Sequence, residues 1–441
     1  MRVEKKAVWG WVLYDWANSA YVTTVMAGFF PIFFKEYCSA GTDVNTSTAL
    51  LGFGNSMASL VVALISPVLG AIADKGSRRK KFLASFAYMG VLMTASLFFL
   101  EKGAWAPAVF IYVMGTVGFS GANVFYDSLL PMVSTESNID YVSGLGYSMG
   151  YLGGGLLFLL NVFMCLMPEK FGFSDSSEAV KWAFLTVALW WGVFTVFILL
   201  WVQETPEREQ VPSLKEAVYQ GFSQLAATFR KVRHLKPVMM FLLAYWCYID
   251  GVDTIVRMAV DYGLSIGFDS KVLITALLIV QFVGFPATLV FGKLGQKWDV
   301  RKAIYLAIGF YALITCWGVF MERQEEFYIL AVMIGLVQGG IQALSRSYYA
   351  RLIPKGQWAE FYGFYNMLGK FSAIMGPALM GLIGLKVKAI LMPSASTPAQ
   401  IEAIGRTASR WSLASIIVFF IAGGILLHFV KKAPGPERHF S

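Results

Sequence analysis

Charged side chains are scarce in this 441-residue sequence. Asp, Glu, Lys and Arg make up 14% of it, against about 25% in a soluble domain. That is too little charge to coat a soluble globule of this size. Histidine is scarcer still. His234, His428 and His439 fall in a loop, at the end of an apolar run and in the tail, so they do not meet as a buried metal cluster. The four cysteines, Cys38, Cys165, Cys247 and Cys316, lack metal-type spacing. They read as small apolar residues of helices, with a Cys38–Cys165 disulfide left open. No glycine-rich phosphate-cradling loop is present, and no acid, base and metal constellation stands out. Neither an enzyme nor a bound cofactor is expected.

What the chain has is apolar surface. Hydrophobic residues account for 57% and aromatics for 16%, and the mean hydropathy is +0.60. These values exclude a soluble domain with one anchor, a disordered chain and a fibrous one. The apolar runs are about 20–25 residues long, the span of a bilayer core, and lack the ten-residue alternation of a membrane barrel. A polytopic α-helical membrane protein remains. Spans are expected at 8–36, 49–73, 82–100, 105–133, 142–167, 181–202, 238–264, 272–292, 302–321, 327–351, 358–386 and 411–430. Arg2, Lys5 and Lys6 precede an apolar run too long for a signal peptide, so that run reads as the first span.

The net charge of +9 would suit nucleic acid, but its placement gives another explanation. Loops on the side of the termini hold 24 of the 36 Lys and Arg and the opposite loops ten, with Arg257 and Lys370 inside spans. Such an excess marks the cytoplasmic side. Both termini are therefore expected in the cytoplasm, and no nucleic-acid face is needed. The longest polar interruption, 204–237, splits the chain into expected domains at 1–203 and 238–441. Within it, Ser213 and Glu216 spell a capping box ahead of apolar residues at helical spacing. This predicts an amphipathic helix at the interface, or a plain linker. Residues 390–405 read as a loop on the far side.

The two halves repeat. Tyr126-x-x-Leu129-x-Pro131 and Tyr349-x-x-Leu352-x-Pro354 end the fourth and tenth spans, 223 residues apart. Gly70 and Gly292 open basic loops 222 apart, and Gly144 and Gly150 recur as Gly363 and Gly369, 219 apart. Six-plus-six parallel repeats are the pattern of transporters whose halves rock about a midplane site.

The loop from Gly70 through Asp74, Lys75, Gly76, Arg78, Arg79 and Lys80 resembles the major facilitator superfamily signature between helices two and three. There Asp74, Arg78 and Arg79 would latch the cytoplasmic side, or serve only as a positive-inside loop. The second copy carries Gln296 and Trp298 where Asp and Gly belong. A more specific likeness lies in Tyr14-Asp15-Trp16-Ala17-Asn18-Ser19-Ala20-Tyr21. It extends through Gly150–Gly155, Gln342–Tyr349, Glu360–Asn366 and Lys370. Together these resemble the vacuole-effluxer (Atg22-like, UMF1) branch of that superfamily. The resemblance implies an all-α membrane protein of twelve transmembrane helices in two pseudo-symmetric six-helix bundles. It also implies amino-acid efflux for fungal members. Drug–proton antiporters of the superfamily carry a Gly-Pro motif in span five, which lacks proline here.

Charges inside spans cost about 2.5–3.5 kcal/mol or more at the bilayer centre, so they should face protein or water. Asp15 and Asn18 share a face of span one, and Asn123 and Asp127 a face of span four. Asp15 and Asp127 are either proton-coupling carboxylates or hydrogen-bonding ties between helices. Asp250, Asp253, Arg257 and Asp261 form one stripe on span seven. Asp250 and Arg257 suit the two charges of a zwitterion, or Arg257 is merely neutralised by Asp253 and Asp261. Gln338, Gln342 and Arg346 line span ten, with Gln338 and Gln342 suited to a polar solute and Arg346 either gating or snorkelling. Lys370 is a switch element or half of a static pair. Gly376-Pro377 should kink span eleven.

The expectation is thus a secondary transporter of a small polar or zwitterionic solute, coupled to protons, with the lipid bilayer as its other partner. Its alternatives are a drug or peptidoglycan-fragment permease and a transport-dead sensor. A monomer is expected, in a bacterial inner membrane or, in a eukaryote, a vacuolar one.

Overall fold

The computed structural model describes residues 4–40, 50, 54, 57–65, 70, 73, 78–204, 230–266, 268–392 and 397–430. A few positions among these, Asp261 and Lys370 included, are described by backbone alone. Asp74 and the expected amphipathic helix from Ser213 lie outside the described residues.

The described chain is almost entirely helical. Helix α1 is Lys5–Cys38 and α2 is seen over 57–65. They are followed by α3 (Arg79–Phe99), α4 (Trp105–Met132), α5 (Ile139–Leu166) and α6 (Ser176–Trp201). The second half comprises α7 (Lys236–Ser265), α8 (Ser270–Lys297), α9 (Val300–Phe320), α10 (Gln324–Leu352) and α11 (Trp358–Leu391). The last, α12, consists of Pro398–Ser415 and Ile417–His428 joined at Ile416. Ten helices among the described residues are long and apolar enough to cross a membrane. At 28 residues, α5 is about 42 Å long at 1.5 Å per residue, ample for a bilayer core.

Short polar signals set the ends. Asp175 caps α6 by accepting from Glu178 N at 2.8 Å, and Asp299 caps α9 from Arg301 N at 3.0 Å. The far loop expected at 390–405 is shorter than that. Thr397 and Gln400 form a capping box with Pro398 in the first turn, so α12 starts at Pro398. The cysteines are free, including Cys38 and Cys165, so the disulfide left open does not form.

Contacts divide the chain into two units. One is Met1–Lys231 with Ile353–Met367, the other Val232–Leu352 with Leu368–Ser441. Helix α11 is therefore shared, its first part with one unit and its remainder with the other. In the first unit α1 packs on α5 and α6, and α3 on α4 and α6. In the second, α7 packs on α12, α9 on α10 and α12, and α8 on α10. The pairs α1–α6, α3–α4 and α3–α6 thus recur as α7–α12, α9–α10 and α9–α12. The α1–α5 seam is close because α5 offers glycine there. A Cβ at Gly153 would run into the ring and carbonyl oxygen of Trp16.

Large apolar side chains also point outward. Leu92, Phe110, Leu189, Leu200, Val290 and Phe320 are exposed on α3, α4, α6, α8 and α9. In water this would be an aggregating surface. A bilayer is the solvent that suits it, since helices satisfy their own backbone groups there.

One irregularity lies in α1. Tyr21–Phe29 is π-helical, Phe30–Phe33 returns to α, and Phe34–Cys38 is π-helical again. Such widened turns are rare and concentrate at functional positions.

Candidate functional site

In the first unit the polar residues of α1 and α4 face one another. Asn18 Nδ2 donates to Asn123 Oδ1 at 2.7 Å. Tyr126 donates its hydroxyl to Asp15 Oδ2 at 2.9 Å. Trp11 Nε1 donates to the Tyr126 carbonyl at 2.9 Å, and the two rings stack with centroids 4.4 Å apart. Gly146 and Gly150 of α5 close the cluster, since a Cβ at either would press on Asp15. Asp15 is 6% exposed and Asp127 8%. Asp127 Oδ2 accepts from Asn366 Nδ2 at 3.1 Å, which ties α4 to the first part of α11.

The same unit holds Arg78 and Arg79, two of the residues expected to gate. Arg79 opens α3 as a buried side chain. Its Nη1 approaches Met132 Sδ at 3.2 Å, and its guanidinium lies over the Trp358 ring, 5.6 Å from the centroid. Gly70 sits against the backbone of Ala359, with no room for a Cβ. Arg78 is half-buried. Just beyond α6, Glu204 Oε2 accepts from Lys80 N at 3.2 Å, satisfying one of the free amides that start α3. Burial pushes the Glu204 carboxyl above its ordinary value, partly offset by that bond and by the Arg79 charge.

In the second unit Asp250 is 1% exposed. Its Oδ1 accepts from Gly376 N at 2.8 Å and from Thr254 Oγ1 at 3.3 Å. Tyr248 and Ser345 share a 2.6 Å hydrogen bond between α7 and α10. Gln338 and Gln342 are half-buried on α10, and Gln338 Oε1 is enclosed without a partner. Arg346 is 2% exposed, so it is held inside the unit and does not snorkel.

The repeat reaches side-chain contacts. Trp11 stacks on Tyr126 as Phe241 stacks on Tyr349. Gly150 faces Asp15 as Gly369 faces Tyr245. Asp15 of the first unit therefore corresponds to Tyr245 of the second. Asp250 and Thr254 correspond to Ala20 and Thr24.

Not every expected partner is brought together. Arg257 is exposed and makes no ion pair among the described residues, while Asp253 is half-buried. Asp250 and Arg257 thus share a stripe without sharing a contact. Thr254, Asn366 and Glu204 were not foreseen as site residues. Only Asn366 carried a signal, from its place in the Glu360–Asn366 motif.

Solved structures of similar shape place this architecture. The human organic anion transporter MFSD10 (TETRAN) superposes with a TM-score of 0.71 at 13% identity, covering 97% of this chain and 100% of that one. The major facilitator superfamily transporter FucP, in the outward conformation, gives 0.65 at 12% identity over 97% and 98%. The fold is that of the major facilitator superfamily, and the molecule is a multi-pass integral membrane protein.

Sequence relatives narrow this. The MFS-type transporter YxiO of Bacillus subtilis (strain 168) is 37% identical over 96% of this chain and 94% of its own. Autophagy-related protein 22 of Coccidioides immitis (strain RS) is 23% identical over 86% and 82%. Residues 39–390 match the family described as "Vacuole effluxer Atg22 like". The chain belongs to that family. It is a membrane transport protein and not an enzyme.

Proposed function

We propose that this protein is a secondary active transporter that exports a small polar or zwitterionic solute, amino acids first among the candidates, in exchange for protons. The observation that carries the reading is the set of ionisable side chains kept inside spanning helices: Asp15, Asp127, Asp250, Asp253, Arg257 and Arg346. Each costs about 2.5–3.5 kcal/mol at the bilayer centre, a cost that membrane proteins bear mainly at ion and substrate paths. Asn18, Gln338 and Gln342 supply neutral hydrogen-bonding groups, and Asp250, Asp253 and Arg257 the charges a zwitterion needs. An exposed Arg257 within a spanning helix, with no ion pair among the described residues, suits a water-filled path better than lipid. Asp15 and Asp127 are the proton-coupling carboxylates of the first unit. Asp74, Arg78, Arg79, Arg346 and Lys370 gate. The Lys and Arg distribution supports cytoplasmic termini, and the protein works as a monomer.

The test is flux in proteoliposomes under an imposed pH gradient, with a panel of labelled amino acids. Accumulation that collapses with a protonophore supports the reading. Flux indifferent to the gradient for every member defeats the proton coupling. Asp15→Asn should abolish accumulation while leaving exchange.

A further inference from the structure

The Asp250 carboxyl is bound on one oxygen and bare on the other. Oδ1 takes the Gly376 N–H and the Thr254 hydroxyl, whereas Oδ2 is enclosed with no partner. The titratable groups that act on it are Asp253 and Cys247, both on α7. From α11 it meets the Gly376 backbone, and α12 places Phe420 against the neighbouring Gly251. No basic side chain acts on it among the described residues. Among the described residues, an ionised carboxyl here would be a buried charge without a counter-ion, beside a second acid. The neutral acid leaves only one hydroxyl unmet, a much smaller cost.

The donor is unusual too. Gly376 precedes Pro377, whose missing N–H removes one bond from the α11 ladder. Glycine is required at 376, because a Cβ there would overlap Thr254 and crowd Asp250 Oδ1. The carboxyl therefore holds α11 at its weakest point. A packing device of the duplicated scaffold would recur in both units. It does not: the positions matching Asp250 and Gly376 in the first unit are Ala20 and Leu157.

We propose that Asp250 binds the coupling proton on Oδ2 and that the Gly376–Pro377 break of α11 responds to it. The proposal rests on the proton-coupled reading above and replaces solute contact by proton binding at Asp250, which leaves Asp253 and Arg257 as the charges for a zwitterion. Ionised, Oδ1 holds the Gly376 N–H through a charge-assisted bond. Protonation on Oδ2 turns Oδ1 into a neutral carbonyl, a weaker acceptor, and frees the break to bend. Because α11 is divided between the two units, a bend at 376 acts on a helix that both possess.

Infrared difference spectroscopy of the protein in lipid, without solute, tests this. The wild type should show the C=O stretch of a buried protonated carboxyl, fading as pH rises. Asp250→Asn should remove that band, and Asp250→Glu should keep it at a shifted frequency. Asp15→Asn and Asp127→Asn should leave it. Survival of the band in Asp250→Asn overturns the proposal, and so does its loss on adding sodium at constant pH. If Asp250→Asn does not fold, an unshifted band in Asp250→Glu overturns it instead. A band that follows Asp250 in a protein that accumulates no amino acid under a pH gradient keeps the proton site and discards the proposed function. Proton-driven accumulation undiminished in Asp250→Asn does the reverse.

Discussion

Asn366 donates one amide hydrogen to Asp127 at 3.1 Å, across 239 positions of sequence, and another to the Tyr362 carbonyl at 3.0 Å. The second bond fixes the side chain along its own helix, so the first is made without further ordering. α4 and the start of α11 are thereby joined through Asp127, a carboxyl that the sequence offers either as a proton site or as a tie between helices.

Asn366→Leu should lower stability by about 1.5–3 kcal/mol, the range for a hydrogen bond to a charged group. The check is a double-mutant cycle with Asp127→Asn, read by thermal unfolding in detergent. A coupling of about 0.5 kcal/mol or more is expected. Strict additivity would show that the two side chains do not sense each other.

Two glycines should respond oppositely to alanine. At Gly70 the new methyl meets the carbonyl of Ala359, which is backbone and cannot swing aside. Gly70→Ala should be clearly destabilising and should loosen the seat of Arg79 on Trp358. At Gly309 nothing lies within 4 Å, so Gly309→Ala should be neutral or gain up to about 1 kcal/mol from helix propensity. Parallel melting curves decide both.

Glu204 lies outside the membrane spans and makes stability depend on pH. Burial raises its folded-state value above that of the unfolded chain. Its contribution is therefore full at acid pH, below the unfolded value, and is lost as pH rises through the folded one. Glu204→Gln should remove that loss, making the melting temperature less dependent on pH across the carboxylate range. A wild-type profile that rises with pH in step with the variant's would contradict this assignment.

Orientation is checked by labelling. Lys102 and Lys355 are exposed in the α3–α4 and α10–α11 connections. In a background with Cys316, the exposed native cysteine, replaced by Ala, Lys102→Cys should react with a membrane-impermeant maleimide in intact cells. Lys355→Cys should react only after permeabilisation. The opposite pattern would reverse the topology.

The spans were readable because lipid demands long apolar runs, and runs survive without tertiary context. The start of α12 was not, although Thr397, Pro398 and Gln400 spell its cap. Glu402, Arg406 and Arg410 depress the hydropathy there, and a helix that continues beyond the bilayer need not be apolar. The repeat was legible where glycine and proline mark it, in α4–α10 and α5–α11. It was hidden in α1–α7, where Asp15 is matched by Tyr245 and Trp11 by Phe241, because contact geometry was kept while residue type was not. Tyr126 and Asn366 as partners of Asp15 and Asp127 depend on chain folding that no local pattern encodes. The π-helical turns of α1 likewise have no local signature.

Divergence between the copies has a consequence for how the molecule meets acid. The repeats run parallel, so a doubled scaffold with the same carboxyl in each copy would carry two equivalent acids at the same height along matching helices. Here one copy keeps its acid beneath Gly150 and the other, shifted by a turn and a half, against Gly376. The two halves are alike in helix packing and unlike in charge, so each acid stands at its own height along its helix and the two have no reason to bind a proton at the same pH.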